Sequence, residues 1–156
     1  MSNVLIQPAT LADLEAVARL FDAYRQFYEQ PADLDLARRF IGERMRRNES
    51  VILLASSTDH PALGFCQLYP SFCSVEAAPI CVLYDLFVAP EGRRAGVGRA
   101  LLLAAERHAA ANDMARMDLT TARTNRTAQA VYEELGWVRD DVFLAYNRRV
   151  AKAPGR

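Results

Sequence analysis

Residues 82–103 constrain the fold more tightly than any other stretch: Val82-Leu83-Tyr84-Asp85-Leu86-Phe87-Val88-Ala89-Pro90-Glu91-Gly92-Arg93-Arg94-Ala95-Gly96-Val97-Gly98-Arg99-Ala100-Leu101-Leu102-Leu103. The segment begins as an apolar, β-rich run, and Pro90 stops it. A loop of arginines and glycines follows, then small and apolar residues at helical spacing. Strand, glycine-arginine loop and helix, in that order, build an anion site. The leading N–H groups of a helix lack intrahelical partners, and the helix dipole places about +0.5 charge there. Glycine lets a phosphate approach the backbone. Arg93, Arg94 and Arg99 add full charges. Two phosphate-binding classes are disfavoured by what is missing. No Gly-Lys-Ser/Thr closes the loop, as a P-loop requires. Leu101 stands where a dinucleotide fingerprint needs its third small residue.

The rest of the chain supplies the other elements of an α/β domain. Residues 4–7 read as a strand that Pro8 ends. Thr10 opens a helix through a Thr10/Asp13 capping box, with Leu14, Val17, Phe21, Tyr24 and Tyr28 on one inward stripe. Pro31 breaks it. A second helix covers 33–47, with Leu34, Ala37, Phe40, Ile41 and Met45 inward and its arginines on a solvated face. Strands follow at 51–55, 63–69 and 80–88. A turn at 56–61 separates the first two, and a loop at 70–79 separates the last two, with Pro70 ending the strand before it. Then come a helix at 97–111, a strand at 117–121, a helix at 125–135 stopped by Gly136, and a last strand at 141–149. This order, β-α-α-β-β-β-α-β-α-β, predicts one α/β domain over 1–150 with a mixed sheet covered by helices. Residues 151–156 form a short tail.

A second motif lies where the 117–121 strand passes into the following helix: Thr121-x-x-x-Asn125-x-x-Ala128-x-x-x-Tyr132-Glu133-x-x-Gly136-Trp137. By spacing alone Tyr132 is a core aromatic and Gly136 a helix stop. Beside the first motif it reads differently. Arg93-x-x-Gly96-x-Gly98 after an apolar strand resembles the acetyl-CoA pyrophosphate loop of the GNAT superfamily of N-acetyltransferases, whose pattern is Gln/Arg-x-x-Gly-x-Gly/Ala. Asn125-x-x-Ala128-x-x-x-Tyr132-Glu133-x-x-Gly136-Trp137 resembles that family's second CoA-contacting motif. Gly64-Phe65-x-x-x-Tyr69 and Tyr84-Asp85-Leu86-Phe87-Val88 look closest to its polyamine and small-amine branch.

The resemblance implies a single GNAT domain with about six to seven strands and about four helices. It implies transfer of an acetyl group from acetyl-CoA to a primary amine by direct attack, with CoA as product and no metal. The amine is small, polyamine-like or amino-acid-like, and less readily a protein lysine. Backbone groups of Leu86, Phe87 and Val88 serve the pantetheine arm and acetyl carbonyl. Arg93, Arg94, Gly96, Val97, Gly98 and Arg99 hold the pyrophosphate. Asn125 bonds the pantetheine or the reacting region, and Tyr132 lies near the sulfur as the acid for the leaving thiolate. The family's bulge in the strand before the loop opens a slot for the cofactor, and the alternation over 80–88 leaves that bulge undecided. Members of the small-amine branch commonly form homodimers.

Asp85 interrupts an otherwise apolar run. An ionised carboxylate in a buried strand is costly unless paired, and burial raises its pKa toward the range useful for a base. Three roles stay open: general base, anchor for a cationic amine, or structural carboxylate. His60, in a turn, and His108, on a helix, are weaker base candidates. Tyr24, Phe27, Tyr28, Tyr69 and Phe72 are the candidate acceptor-pocket residues, because aromatic and acidic side chains together suit a small cation.

Composition closes off other classes. Lysine plus arginine and aspartate plus glutamate are 19 each, so the chain lacks the basic excess of a nucleic-acid binder. No apolar run reaches the ~20 residues of a membrane helix, and no charged-then-apolar leader opens the chain. The expectation is a cytoplasmic protein with a small-molecule partner, neither nucleic acid nor membrane. Cys66, Cys73 and Cys81 are odd in number and form no Cys-x-x-Cys, so they read as buried thiols. A non-catalytic acyl-CoA sensor of the same fold is the alternative to an enzyme, and retention of Tyr132 favours the enzyme.

Overall fold

A computed structural model of the protein describes residues 3–155. Residues 1 and 2 of the predicted domain and Arg156 of the predicted tail lie outside the described residues. The chain divides into two compact units, Met1–Thr120 and Thr121–Arg156.

The first unit holds a five-stranded mixed sheet in the order β1-β2-β3-β4-β5. Its elements are β1 (Leu5–Pro8), α1 (Leu14–Phe27), α2 (Leu34–Arg46), β2 (Val51–Ser56), β3 (Gly64–Cys73), β4 (Ala78–Val88), α3 (Val97–Ala111) and β5 (Met117–Asp118). β1 to β4 pair antiparallel in sequence order, and β5 joins β4 in parallel. The capping box forms, with Asp13 accepting from the Thr10 N–H at 2.9 Å. Asp33 caps α2 by accepting from the Leu36 N–H at 3.0 Å.

One core lies between the sheet and the first two helices. Val17, Ala18, Leu20 and Phe21 of α1 and Ala37 and Ile41 of α2 meet Ile52, Leu54, Phe65 and Phe87 of the sheet. α3 covers the opposite face, because successive strand side chains point to opposite sides. Phe87 faces the first core, whereas a Cβ added at Gly98 of α3 would touch Val88, one residue on. Gly64 is required where β3 meets β4: a Cβ there would stand 2.7 Å from the Phe87 carbonyl oxygen.

The sheet corrects the sequence reading around Pro70. That residue does not end its strand; β3 continues to Cys73, with Pro70 opposite Cys81. The 70–79 loop shrinks to a turn at 74–77 that closes a long hairpin. Proline is tolerated there because β2 pairs with β3 only up to Leu68, so the other side of β3 is a free edge beyond that point.

The second unit contains α4 (Arg126–Glu134). Asn125 caps it by accepting from the Ala128 N–H at 3.2 Å. The far end closes as a Schellman turn: the Trp137 N–H bonds the Tyr132 carbonyl at 2.9 Å, the Gly136 N–H bonds the Glu133 carbonyl at 3.1 Å, and Gly136 sits at φ 94°. The predicted last strand at 141–149 is absent, which leaves five strands among the described residues rather than six or seven. Val142, Phe143, Leu144 and Tyr146 are exposed instead. A strand exists only through a hydrogen-bonded neighbour, and the second unit has none to offer among the described residues. No helix among the described residues is long and apolar enough to cross a membrane.

Candidate active site

The β3–β4 ladder shifts register between Gln67, opposite Asp85, and Leu68, opposite Leu83. Tyr84 is therefore the extra residue of a β-bulge in β4. In a regular strand Tyr84 and Asp85 would point to opposite faces. The bulge brings both onto the wall of one cavity of about 280 Å³, with Phe21, Tyr24, Arg25, Tyr28, Phe40 and Tyr69.

Asp85 lies on that wall only 6% exposed. Its Oδ2 accepts from Gln67 Nε2 at 2.7 Å, and Gln67 Oε1 accepts from Ser50 Oγ at 2.7 Å. Burial pushes the Asp85 pKa up; the Gln67 amide and then the Tyr24 hydroxyl pull in the other direction by favouring the charged form. The Tyr24 hydroxyl also reaches the Tyr84 carbonyl at 3.5 Å. Its pKa is raised by burial and by the nearby Asp85 charge. Tyr69 is pushed up to about 12 by burial and then by Asp85. The Cys66 thiol, fully buried behind the sheet, is pushed up to about 12 by burial and is inert as a nucleophile at neutral pH.

The expected acceptor residues Tyr24, Tyr28, Tyr69 and Asp85 thus share the cavity wall. Phe72 does not: it lies opposite Pro79 at the distal end of the hairpin and is 78% exposed. Its placement in a pocket assumed a loop at 70–79, and the extended hairpin carries it away. Phe27 is also off this wall, with its ring 6.5 Å from Phe87. His60 sits in an exposed turn, its N–H bonded to Ser57 Oγ, and His108 lines a separate cavity near Cys81. Two residues of the site escaped the sequence reading: Gln67, which holds Asp85 without lining the cavity, and Arg25 on its wall. Gln67 carried a usable signal, a lone amide in an apolar strand, the same irregularity that marked Asp85. Arg25 carried none, since it sits among other charged residues on an amphipathic helix.

The end of β4 and the loop after it depart from the cofactor-binding expectation at two residues: Phe87, whose backbone bonds β3, and Arg93, whose side chain turns back onto the strand. Ala89 N–H bonds the Leu63 carbonyl at 2.8 Å, so residues 89, 87 and 85 direct their backbone groups toward β3. Leu86 and Val88 therefore direct theirs to the other side. There β5 pairs only with Cys81 and Val82, and the rest of β4 has no strand beside it among the described residues. Gly96 caps α3 at φ 76°, a left-handed conformation that glycine adopts without strain. Arg94 is also left-handed, at φ 64°, and Val97 and Gly98 lead the helix. Arg94 and Arg99 are exposed beside this terminus. Arg93 folds back: its Nε donates to the Val88 carbonyl at 3.2 Å, and its guanidinium lies 6.0 Å from the Phe87 ring centre. It clamps the end of β4.

In the second unit, Tyr132 stands in the second turn of α4, its ring 6.1 Å from that of Trp137. The Gln129 amide bonds the carbonyls of Ala122 and Arg123, fixing the loop that presents Asn125.

Comparison with known proteins shows the family. A model of the acetyltransferase (GNAT) family matches residues 14–137. The uncharacterized N-acetyltransferase YhfO of Bacillus subtilis is 42% identical over 141 residues, spanning 90% of this chain and 94% of that protein. The crystal structure of a probable acetyltransferase superposes with a TM-score of 0.88 at 39% identity, covering 96% of this chain and 99% of the other. An aminoglycoside N-acetyltransferase solved in complex with CoA has the same fold, with a TM-score of 0.79 at 20% identity over 96% of this chain and 97% of its own. The chain belongs to the acetyltransferase (GNAT) family and is an N-acetyltransferase.

Proposed function

We propose that the protein transfers the acetyl group of acetyl-CoA to the primary amine of a small molecule by direct attack. The observation that carries this reading is the free edge of β4, where Leu86 and Val88 direct backbone groups away from β3 just before an α3 that begins at a left-handed glycine. The residues present fit the cofactor. The leading N–H groups of α3, with Arg94 and Arg99, suit a pyrophosphate. The N–H groups of Leu86 and Val88 suit the amides and carbonyl of an extended acyl-pantetheine arm. When bound, acetyl-CoA supplies an acyl group already activated as a thioester.

The remaining chemistry belongs to the chain. An alkyl amine has a pKa near ~10 and must lose a proton before it can attack. Asp85 accepts that proton, directly or through water; its raised pKa brings its basicity closer to the amine's. The Val88 N–H donates to the carbonyl oxygen as negative charge develops there. Tyr132 returns a proton to the departing thiolate, the role its motif supports.

Thermal unfolding with acetyl-CoA, CoA, ATP and NAD in parallel tests the cofactor. At ~100 times Kd a ligand specific to the folded state adds about 2.7 kcal/mol, and a shift is expected with acetyl-CoA and CoA alone. A shift only with ATP or NAD overturns the reading. Tyr132→Phe is expected to keep the CoA shift and to lose about 10²- to 10⁴-fold in turnover. Undiminished turnover removes Tyr132 from the mechanism. A wild-type protein that binds acetyl-CoA yet acetylates no amine is a sensor.

A further inference from the structure

Among the described residues Arg25 is the one cation on the wall of the cavity beside Asp85, and its position is unusual. It belongs to the last turn of α1, between the cavity aromatics Tyr24 and Tyr28. Its Nη1 is buried without a hydrogen-bond partner, and Arg25 forms no ion pair among the described residues. Three arginines of the first two helices are paired: Arg19 and Arg38 with Glu15, Arg38 also with Asp35, and Arg44 with Glu43 and Glu49. Arg44 Nε shares the buried, unbonded state of Arg25 Nη1, but its guanidinium has carboxylates beside it and that of Arg25 has none among the ion pairs of the described residues. A buried guanidinium nitrogen with nothing to donate to is costly, so such groups are normally satisfied. The cavity into which Arg25 faces contains no second carboxylate to satisfy it. Among the described residues Asp85 is the only acid on the wall, and it is held by Gln67 and Tyr24.

We infer that the acceptor is a zwitterionic amine, an amino acid or close analogue, whose carboxylate bonds Arg25 while its amino group lies toward Asp85. This rests on the N-acetyltransferase reading and deepens it. Guanidinium and carboxylate match as a planar two-pronged pair, which gives orientation as well as affinity. The acceptor's side chain then lies among the rings of Phe21, Tyr24, Tyr69 and Tyr84. The same charge placement opposes a polyamine or an aminoglycoside, because a second ammonium group would meet Arg25. Size points the same way: about 280 Å³ lies just under the ~300–1,000 Å³ of pockets that enclose drug-sized ligands.

Matched pairs of acceptors test this: phenylalanine against phenethylamine and leucine against isoamylamine, with spermidine and kanamycin as polycations. CoA release is measured with acetyl-CoA present, and binding of the same compounds is measured by calorimetry without it. The carboxylated member of each pair is expected to lead by about tenfold or more, mainly through KM and Kd. Arg25→Met is expected to bring that ratio close to one, and Arg25→Lys to restore part of it. Because the ratio is taken within one folded variant, general damage to the protein does not produce the collapse. Equal use of both members, preference for spermidine or kanamycin, or a ratio unchanged in Arg25→Met overturns the inference while leaving the acetyltransferase reading in place. Loss of the acetyl-CoA shift strikes that reading alone, since the calorimetric ratio still reports on Arg25.

Discussion

Asp85→Asn lowers kcat/KM by about 10²- to 10⁴-fold and leaves the fold at least as stable as the wild type. The two halves of this result separate a functional carboxylate from a structural one, and a loss in kcat rather than KM separates a base from an anchor. The amide has nearly the shape of the carboxylate, and its Oδ1 can still accept from Gln67 Nε2, now 2.7 Å from Asp85. It cannot take a proton, and it removes a charge that is costly to bury. Steady-state kinetics beside urea unfolding reads both effects. Retained activity with altered stability would make Asp85 a structural carboxylate and sink the base assignment.

The pH dependence carries a sign. Burial raises the Asp85 pKa in the folded state above its ordinary 3.8, so the folded protein holds this proton more tightly than the unfolded chain. The stability it contributes is fully present below the unfolded value and is lost as pH rises through the folded value. Wild-type stability should therefore fall with pH across that window relative to Asp85→Asn. Activity moves the other way: kcat/KM rises as Asp85 deprotonates, a limb that the variant lacks.

Phe65→Ala costs about 3–5 kcal/mol of stability, a large share of the roughly 5–15 kcal/mol a domain has. Phe65 is completely buried, and its ring meets Phe21 at 6.3 Å and Tyr24 at 5.9 Å, edge to face in both cases. The truncation opens a void beneath the wall that carries Tyr24. Binding of small amines should weaken together with stability, because Tyr24 loses one of the surfaces that fix its rotamer. The urea midpoint by circular dichroism checks the first effect and calorimetry the second. A shift at the low end would mean that the site collapses around the truncation, and an unshifted midpoint would overturn the core role of Phe65, because collapse removes only the cavity term.

Much of the candidate site is legible in the sequence. The 97–111 helix, its glycine cap and the arginine loop depend on interactions within a few residues, and the structure places α3 at Val97–Ala111 as expected. Asp85 stood out because one acid in an apolar strand must be accounted for wherever the strand goes. Asn125 and Gly136 each made the local turn their residue types favour.

What escaped depended on residues distant in sequence. The bulge at Tyr84 is a matter of register between β3 and β4, and neither strand contains a residue that demands it. Residues 141–149 have the composition of a strand, yet composition supplies no neighbour to bond with. Pro70 looked like a stop because its missing N–H matters only if a second strand lies on that side, and none does. Phe72 was drawn into the acceptor pocket by composition and removed from it by the length of the hairpin.

Short-range physics, caps, dipoles, glycine conformations and apolar periodicity, was written in the sequence, and the two motifs at the strand-helix junctions carried the resemblance to the family. The acceptor wall was decided only by tertiary structure. Its members come from α1, α2, β3 and β4, far apart in sequence, and the burial that leaves Arg25 unpartnered and lifts the Asp85 pKa exists only once those elements close on one another.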